Sequence, residues 1–306
     1  MKSSEVIKIA WQLTNAKKSL VWFGIVPTFF TTLVGLGYFS YQFMAFETSP
    51  FFGNKHFDFT KISGLVLDFA GQHSGLIIFG IILTIIVLLG YFLVPPLTEG
   101  GLIGLVAAFH KQKEGVEIHD GIIIGTHHYL RMFEFGMAVS TFSFFEFLTI
   151  TSMTIRHLGL PFWLLILLGV LFVVSILFGF LFIYAANFII LENRNLTRAL
   201  GGSAKLVISN FGKTFLMWFL MFLISIRVLI NVILVFLIPL LIAFVTNFFV
   251  SQVALILGII LAIVAGLIVV GIASYLGGVL HVFTTAAWTI TFLELDHQRA
   301  EKLLEK

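Results

Sequence analysis

Apolar residues run along this chain in six long stretches, roughly 20–44, 76–110, 132–155, 162–191, 214–246 and 252–293, with short polar segments between them. A helix needs about 20 consecutive apolar residues to cross the hydrocarbon core of a bilayer, so each stretch predicts a transmembrane helix. Several are too long for one straight span. The second would reach roughly 52 Å at about 1.5 Å per residue, which predicts tilt, protrusion or a break, with Pro95-Pro96 as the expected break. The first stretch exceeds the h-region of a cleavable signal and lacks a small-residue cleavage site, so it is expected to stay as an anchor.

The polar segments repeat as well. An amphipathic segment precedes each pair of apolar stretches: "SSEVIKIAWQLTNAKKSL", then "HDGIIIGTHHYLRMFEFG", then "ENRNLTRALGGSAKLVISNFGKT". In the first, Val6, Ile9, Ala10 and Leu13 share a face while Lys8, Gln12 and Asn15 turn away; in the third, Leu196, Leu200, Val207 and Phe211 form the stripe. Asp120 and Asn195 are the expected caps of the second and third helices. Stripes of this kind predict helices lying in the headgroup plane. The expected fold is therefore an all-α integral membrane protein: six transmembrane helices in three repeats of cytoplasmic interfacial helix plus transmembrane hairpin. The repeats cover approximately 1–112, 116–192 and 193–293 of a single membrane domain, 1–306, with an outer loop at 45–75 carrying five phenylalanines between Phe51 and Phe69.

Charge orients this arrangement. Of the 18 lysines and arginines, 14 fall in the termini and the segments that the six-span reading puts on one side. Only Lys55, Lys61 and Arg156 fall on the other, and Arg227 lies inside an apolar stretch. By the positive-inside rule both termini are cytoplasmic, which predicts a multi-pass protein of the plasma or inner membrane. The composition agrees: 59% hydrophobic, 11% charged and a mean hydropathy of +1.08, against about 25% charged residues in soluble domains. The basic face predicts attraction to anionic lipid, and no motif points to nucleic acid. With no cysteine in the chain, disulfides, thiolate metal sites and cysteine nucleophiles are excluded.

Candidate chemistry is confined to a few polar groups in apolar surroundings. Arg227 lies 14 residues past Lys213 and Glu146 lies 15 past Arg131, which sets both roughly 21–22 Å along the first span of their repeats. An unpaired charge at the bilayer centre costs at least about 3 kcal/mol, so Glu146 and Arg227 are expected to pair, with Asn231 one turn beyond the arginine. Glu99, in "VPPLTEGGLIG", follows two prolines that leave carbonyls unpaired, a combination used in transporters for cation or proton sites; a kink satisfied by neighbouring hydroxyls is the structural alternative. His281 is expected at a similar depth in the last span, more as a packing residue than a ligand. Ala254, Gly258, Ala262 and Gly266 recur every four residues, and Ser274 and Gly278 resume the count, which predicts close helix packing within the bundle or across a homo-oligomer. His127 and His128 point about 100° apart on a helix, and nothing has zinc-site spacing, so no metal is assigned.

Four segments carry a family resemblance: "IAWQLTNAKKSLVWFGIVP", "GGLIGLVAAFHKQKEG", "IYAANFIILENRNLTRALGGSAKLVISNFGK" and "FTTAAWTITFLELD". Through them the chain resembles six-span proteins of the YciC-like group and the membrane domain attached to some glycerophosphodiester phosphodiesterases. That resemblance implies a membrane module without an established activity. The soluble barrel that would supply His, Glu, Asp and a metal has no counterpart here, and no catalytic residue carries over.

The function expected from the sequence is non-catalytic, without cofactor: a scaffold, or a binder or transporter of a lipid-like amphiphile, with membrane lipids and a further copy or membrane protein as partners. The alternative is a proton- or ion-coupled carrier using Glu99, Glu146 and Arg227. An intramembrane enzyme ranks last, because no set of nucleophile, base and orienting group is visible.

Overall fold

Helices account for nearly all of the residues that the structure, a computed structural model, describes: 2–47, 71, 74–111, 116–140, 151, 162–226 and 252–304. No strand occurs among the described residues. In chain order they are α1 (Ser3–Ala16), α2 (Lys18–Glu47), α3 (Ser74–His110), α4 (Ile118–His127), α5 (Tyr129–Ser140), α6 (Phe162–Leu181), α7 (Ala185–Leu191), α8 (Leu196–Ser209), α9 (Phe211–Ile226) and α10 (Gln252–Leu304). Four helical segments are long and apolar enough to cross a membrane: Lys18–Tyr38, Ile77–His110, Phe162–Leu191 and Val264–Arg299. The pair α8–α9, bent by 99°, is a fifth if counted as one span. The apolar stretches 132–155 and 214–246 run largely outside the described residues, as does the loop at 45–75.

Helix α3 passes through Pro95 and Pro96 without interruption, so the expected break is absent. Each proline removes a donor, which frees the carbonyls of Tyr91 and Phe92 four residues back. One turn on, the Thr98 hydroxyl donates to the carbonyls of Val94 (3.0 Å) and Pro95 (3.1 Å), so that the polar group stays satisfied inside an apolar helix. Helix α2 does the same at Pro27, whose carbonyl accepts from Thr31 Oγ1 at 2.9 Å. Threonine is tolerated in both places because its hydroxyl can bond back along its own helix.

Burial is concentrated toward the C-terminal ends of α3, α6–α7 and α10. One core joins Val6 and Ala10 of α1, Leu20 and Phe23 of α2, Leu102, Leu105 and Val106 of α3, Met217 and Met221 of α9, and Val282 to Ile290 of α10. A second joins Ile103, Met132, Tyr184, Phe188, Ile190, Ala199, Val207, Phe292 and Leu295.

Small residues set how closely the helices approach. A Cβ on Gly101 would stand 2.5 Å from the carbonyl oxygen of Gly121, and one on Gly278 would stand 2.7 Å from the Cα of Ile25. Neither position has room for a side chain. Beside Gly266, by contrast, no atom lies within 4 Å, so α10 makes its close approach at the last member of the four-residue count. The side chains of Ala254, Gly258 and Ala262 lie outside the described part of α10.

The short helices pair lengthwise with long ones, which the expectation of helices flat in the headgroup plane did not anticipate. Gly121 of α4 abuts Gly101 and Leu105 of α3, while Gly125 abuts Leu97; α4 therefore runs opposite to α3. Helix α1 runs opposite to α10, with Ser3 and Val6 near Thr291 and Leu295 and the Trp11 ring 5.8 Å from that of Phe283. Helix α8 packs on α7.

The faces differ in detail from the stripes read in the sequence. In α1, Val6 and Ala10 are buried as expected, joined by Thr14, while Lys8, Gln12 and Asn15 are exposed. In α8 the buried residues are Ala199, Ser203, Leu206 and Val207, and Phe211 beyond it is exposed. The small residues Ala199 and Ser203 sit at the approach to α7, with Val207 of the expected stripe buried in the same core and Leu196 packed against it. Asn195 occupies the cap position of α8 without a side-chain capping bond. Asp120 is not a cap: it sits in the first turn of α4 and accepts from the Glu117 backbone N–H at 2.9 Å, the reciprocal half of a capping box.

Candidate functional site

Buried polar groups occur on several helices, among them Thr98 and Asn187 on the two that meet at Gly100 and Ile190, α3 and α7. Glycines bring α3 close to its neighbours there: a Cβ on Gly100 would meet Ile190 Cδ1 at 3.2 Å and Met132 Cγ at 3.5 Å. Glu99 is the next residue. It lies on the stripe of α3 that continues through Leu102, Ile103 and Val106, three, four and seven residues on, all of them in the two cores. Its half-buried carboxyl has no hydrogen bond or ion pair with any described residue. The hydroxyl one residue before it, Thr98, is committed to its own backbone.

Across the seam, α6 and α7 are separated by a break at 182–184. A break inside a buried segment orphans backbone groups, and one hydroxyl repairs it: Ser203 Oγ of α8 accepts from the Tyr184 N–H (3.1 Å) and donates to the Leu181 carbonyl (2.7 Å). The Tyr184 hydroxyl lies 3.4 Å from Thr214 Oγ1, and its ring stands edge-on to Trp288. Asn187 follows one turn later on α7. It is 3% exposed, and its Oδ1 has no hydrogen-bond partner. Ser274 and Thr289 of α10 are buried with unpartnered hydroxyls as well.

His281 lies on α10 just past the Gly278 crossing, half-buried beside Val282 and Phe283, and its ring bonds to no described residue. Glu99 and His281 are not joined by a hydrogen bond or ion pair. Glu146, Arg227 and Asn231 lie outside the described residues, and with them the expected charge pair. Around the α6–α7 break lie three residues not singled out from the sequence, Tyr184, Asn187 and Ser203. A lone amide within the apolar stretch 162–191 is the signal that could have found Asn187.

Near the N-terminal end of α1, the ends of α9 and α10 enclose a small cleft of about 20 Å³, lined by Ser3, Val6, Lys213, Met217, Thr291, Glu294 and Leu295, room for about one water. Lys213 Nζ donates to Gln298 Oε1 (2.9 Å), and Gln298 donates in turn to Glu294 (2.8 Å). Cations line this end of the molecule: Lys8, Lys18, Lys111, Arg198 and Lys205 are exposed, and Arg131 anchors α5 to the turn at Asn193 through that residue's carbonyl and side-chain oxygens. Arg194 pairs with Glu192 and stacks on Phe188, its guanidinium 4.6 Å from the ring centre. No group of three or more His, Asp or Glu that could hold a metal ion occurs among the described residues.

The chain matches no protein-family model, and comparison with curated proteins and with solved structures finds no match.

Proposed function

We propose that this protein is a non-catalytic, multi-pass membrane protein that binds or carries a lipid-like amphiphile. The observation that carries the reading is the half-buried carboxyl of Glu99, without a partner among the described residues, on a helix whose outer half presents an apolar face. An amphiphile needs both surfaces: an apolar wall for its tail and a polar group for its head. The architecture belongs to the same proposal: six spans in three repeats, both termini cytoplasmic, in the plasma or inner membrane, with anionic lipid at the basic face. The contacts support it in one respect. Each short helix leans on the second long helix of the repeat before it, α4 on α3 and α8 on α7, and α1 closes the circle on α10. The resemblance to the YciC-like group remains part of the proposal.

Native mass spectrometry of protein extracted gently from its own membrane tests the function. A defined lipid or small molecule that is retained by the wild type and lost in Glu99→Gln supports it. Bare protein, or retention unchanged by the substitution, counts against a ligand held at Glu99 and favours a scaffold. A proton- or ion-coupled carrier using Glu99, Glu146 and Arg227 is the second reading, favoured by the same unpartnered carboxyl; pH-driven uptake in proteoliposomes that disappears in Glu99→Gln supports it over passive binding. Because the chain lacks cysteine, single cysteines at Lys2, Lys111 and Lys302 report orientation, and labelling from the cytoplasmic side alone is the expected result.

A further inference from the structure

Glu99 and Asn187 lie on two helices that meet at one contact. The Gly100–Ile190 contact fixes where α3 meets α7. Glu99 is adjacent to Gly100 and shares a stripe with Ile103, which packs in the same core as Ile190. Asn187 precedes Ile190 by three residues on one helix face, about 4.5 Å along the axis. Both polar groups thus lie within about one helical turn of that contact along their own helices, one half-buried and the other 3% exposed, and neither has a partner among the described residues. A buried amide oxygen left unsatisfied costs stability, and apolar side chains would fill the same space without that penalty. An acceptor pair retained in such surroundings fits a group that brings its own donors.

We propose that Glu99 and Asn187 form the two sides of a site for a primary ammonium group, with the Glu99 carboxyl opposing its charge and Asn187 Oδ1 accepting one of its N–H bonds. This rests on the amphiphile-binding reading and names the headgroup chemistry. Two oxygen-bearing side chains are too few for calcium, which takes six to eight oxygen ligands, or for a protein-held magnesium octahedron. A quaternary ammonium has no N–H to give Asn187. The ammonium can come from a lipid headgroup or from a free amine, and the apolar outer half of α3 does not by itself separate the two sources.

The test uses the full chain in nanodiscs with equal amounts of phosphatidylethanolamine and phosphatidylcholine, read by native mass spectrometry of retained lipid, with free ethanolamine added in a parallel arm. Wild type is expected to retain the primary-ammonium lipid about tenfold over the quaternary one, the scale of one charge-assisted hydrogen bond. Glu99→Gln and Asn187→Leu should each abolish that preference while the unfolding temperature in pure phosphatidylcholine stays within a few degrees of wild type. Displacement of the lipid by free ethanolamine, or binding of ethanolamine alone with the same sensitivity to both variants, supports the site and assigns a soluble source. Lipid retained without headgroup preference leaves amphiphile binding intact and overturns the site. Preference that survives in the double variant overturns it too, as does a stability change in Asn187→Leu with selectivity unaltered, which would make the amide structural.

Discussion

The two halves of α3 differ in composition and are opposite in environment: the first is almost wholly aliphatic and aromatic, while the second carries Pro95, Pro96, Thr98, Glu99 and three glycines. From Ile77 to Leu93 its large side chains are largely exposed, Ile78 and Phe79 by about three-fifths of their surface; from Leu102 to Ala107 the large side chains are buried, Leu102 and Val106 completely. One difference is the number of small residues at contact positions. The second half carries Gly100, Gly101 and Gly104 against α4, α5 and α7, whereas in the first half Gly80 meets no described atom within 4 Å and Gly90 closes on the Phe30 ring of α2. In an apolar solvent hydrophobicity does not hold helices together, because lipid tails are as apolar as leucine; close approach through small residues does. Where glycine or serine lines a seam, as at Gly90, Gly101 and Ser203, the described helices pack closely.

Substitutions can break this contrast in a graded way. The largest effect is expected for Gly101→Leu, which drives a side chain into the Gly121 carbonyl: a loss of about 3 kcal/mol or more, or no folded protein, read by unfolding in mild detergent. Gly80→Leu, the same change in the outer half, should stay within about 0.5 kcal/mol of wild type; an equal loss at both positions would refute the size argument. Ser203→Ala removes the hydroxyl that serves two backbone groups at the α6–α7 break, and about 1–3 kcal/mol should be lost, with raised amide exchange at Tyr184 as the local signature. Replacing Lys213 by Met removes an exposed hydrogen bond to Gln298 and should cost less than about 1 kcal/mol, testing whether the basic end of the molecule contributes by charge or by packing.

The long apolar stretches were legible because about 20 apolar residues in a row have few other uses, and four of the six coincide with helices able to span a membrane. The amphipathic face of α1 was legible for the same periodic reason. The face of α8 was legible in part: Val207 and Leu196 of the expected stripe meet the core while Phe211 is exposed, and the small buried residues Ala199 and Ser203 carry too little hydrophobicity to mark the side that reaches α7. A break at Pro95-Pro96 was expected because prolines lose donors, yet α3 is continuous there; the packing of α4 and α7 on this part of α3 is not local and so was not legible. Of the candidate site, Glu99 stood out as a charge in an apolar run. Asn187 did not, because a single uncharged amide changes hydropathy little, and its significance depends on what faces it from α3.

The pairing of α1 with α10 has a consequence for biosynthesis. Trp11 is synthesised long before its neighbour Phe283, so the apolar side of α1, with Val6 and Ala10, waits through the insertion of the intervening helices for that contact. During that interval it must rest on lipid or on a chaperone. A ribosome stalled before α10 would therefore hold a chain whose α1 is still undocked, and α10 is the helix that locks it.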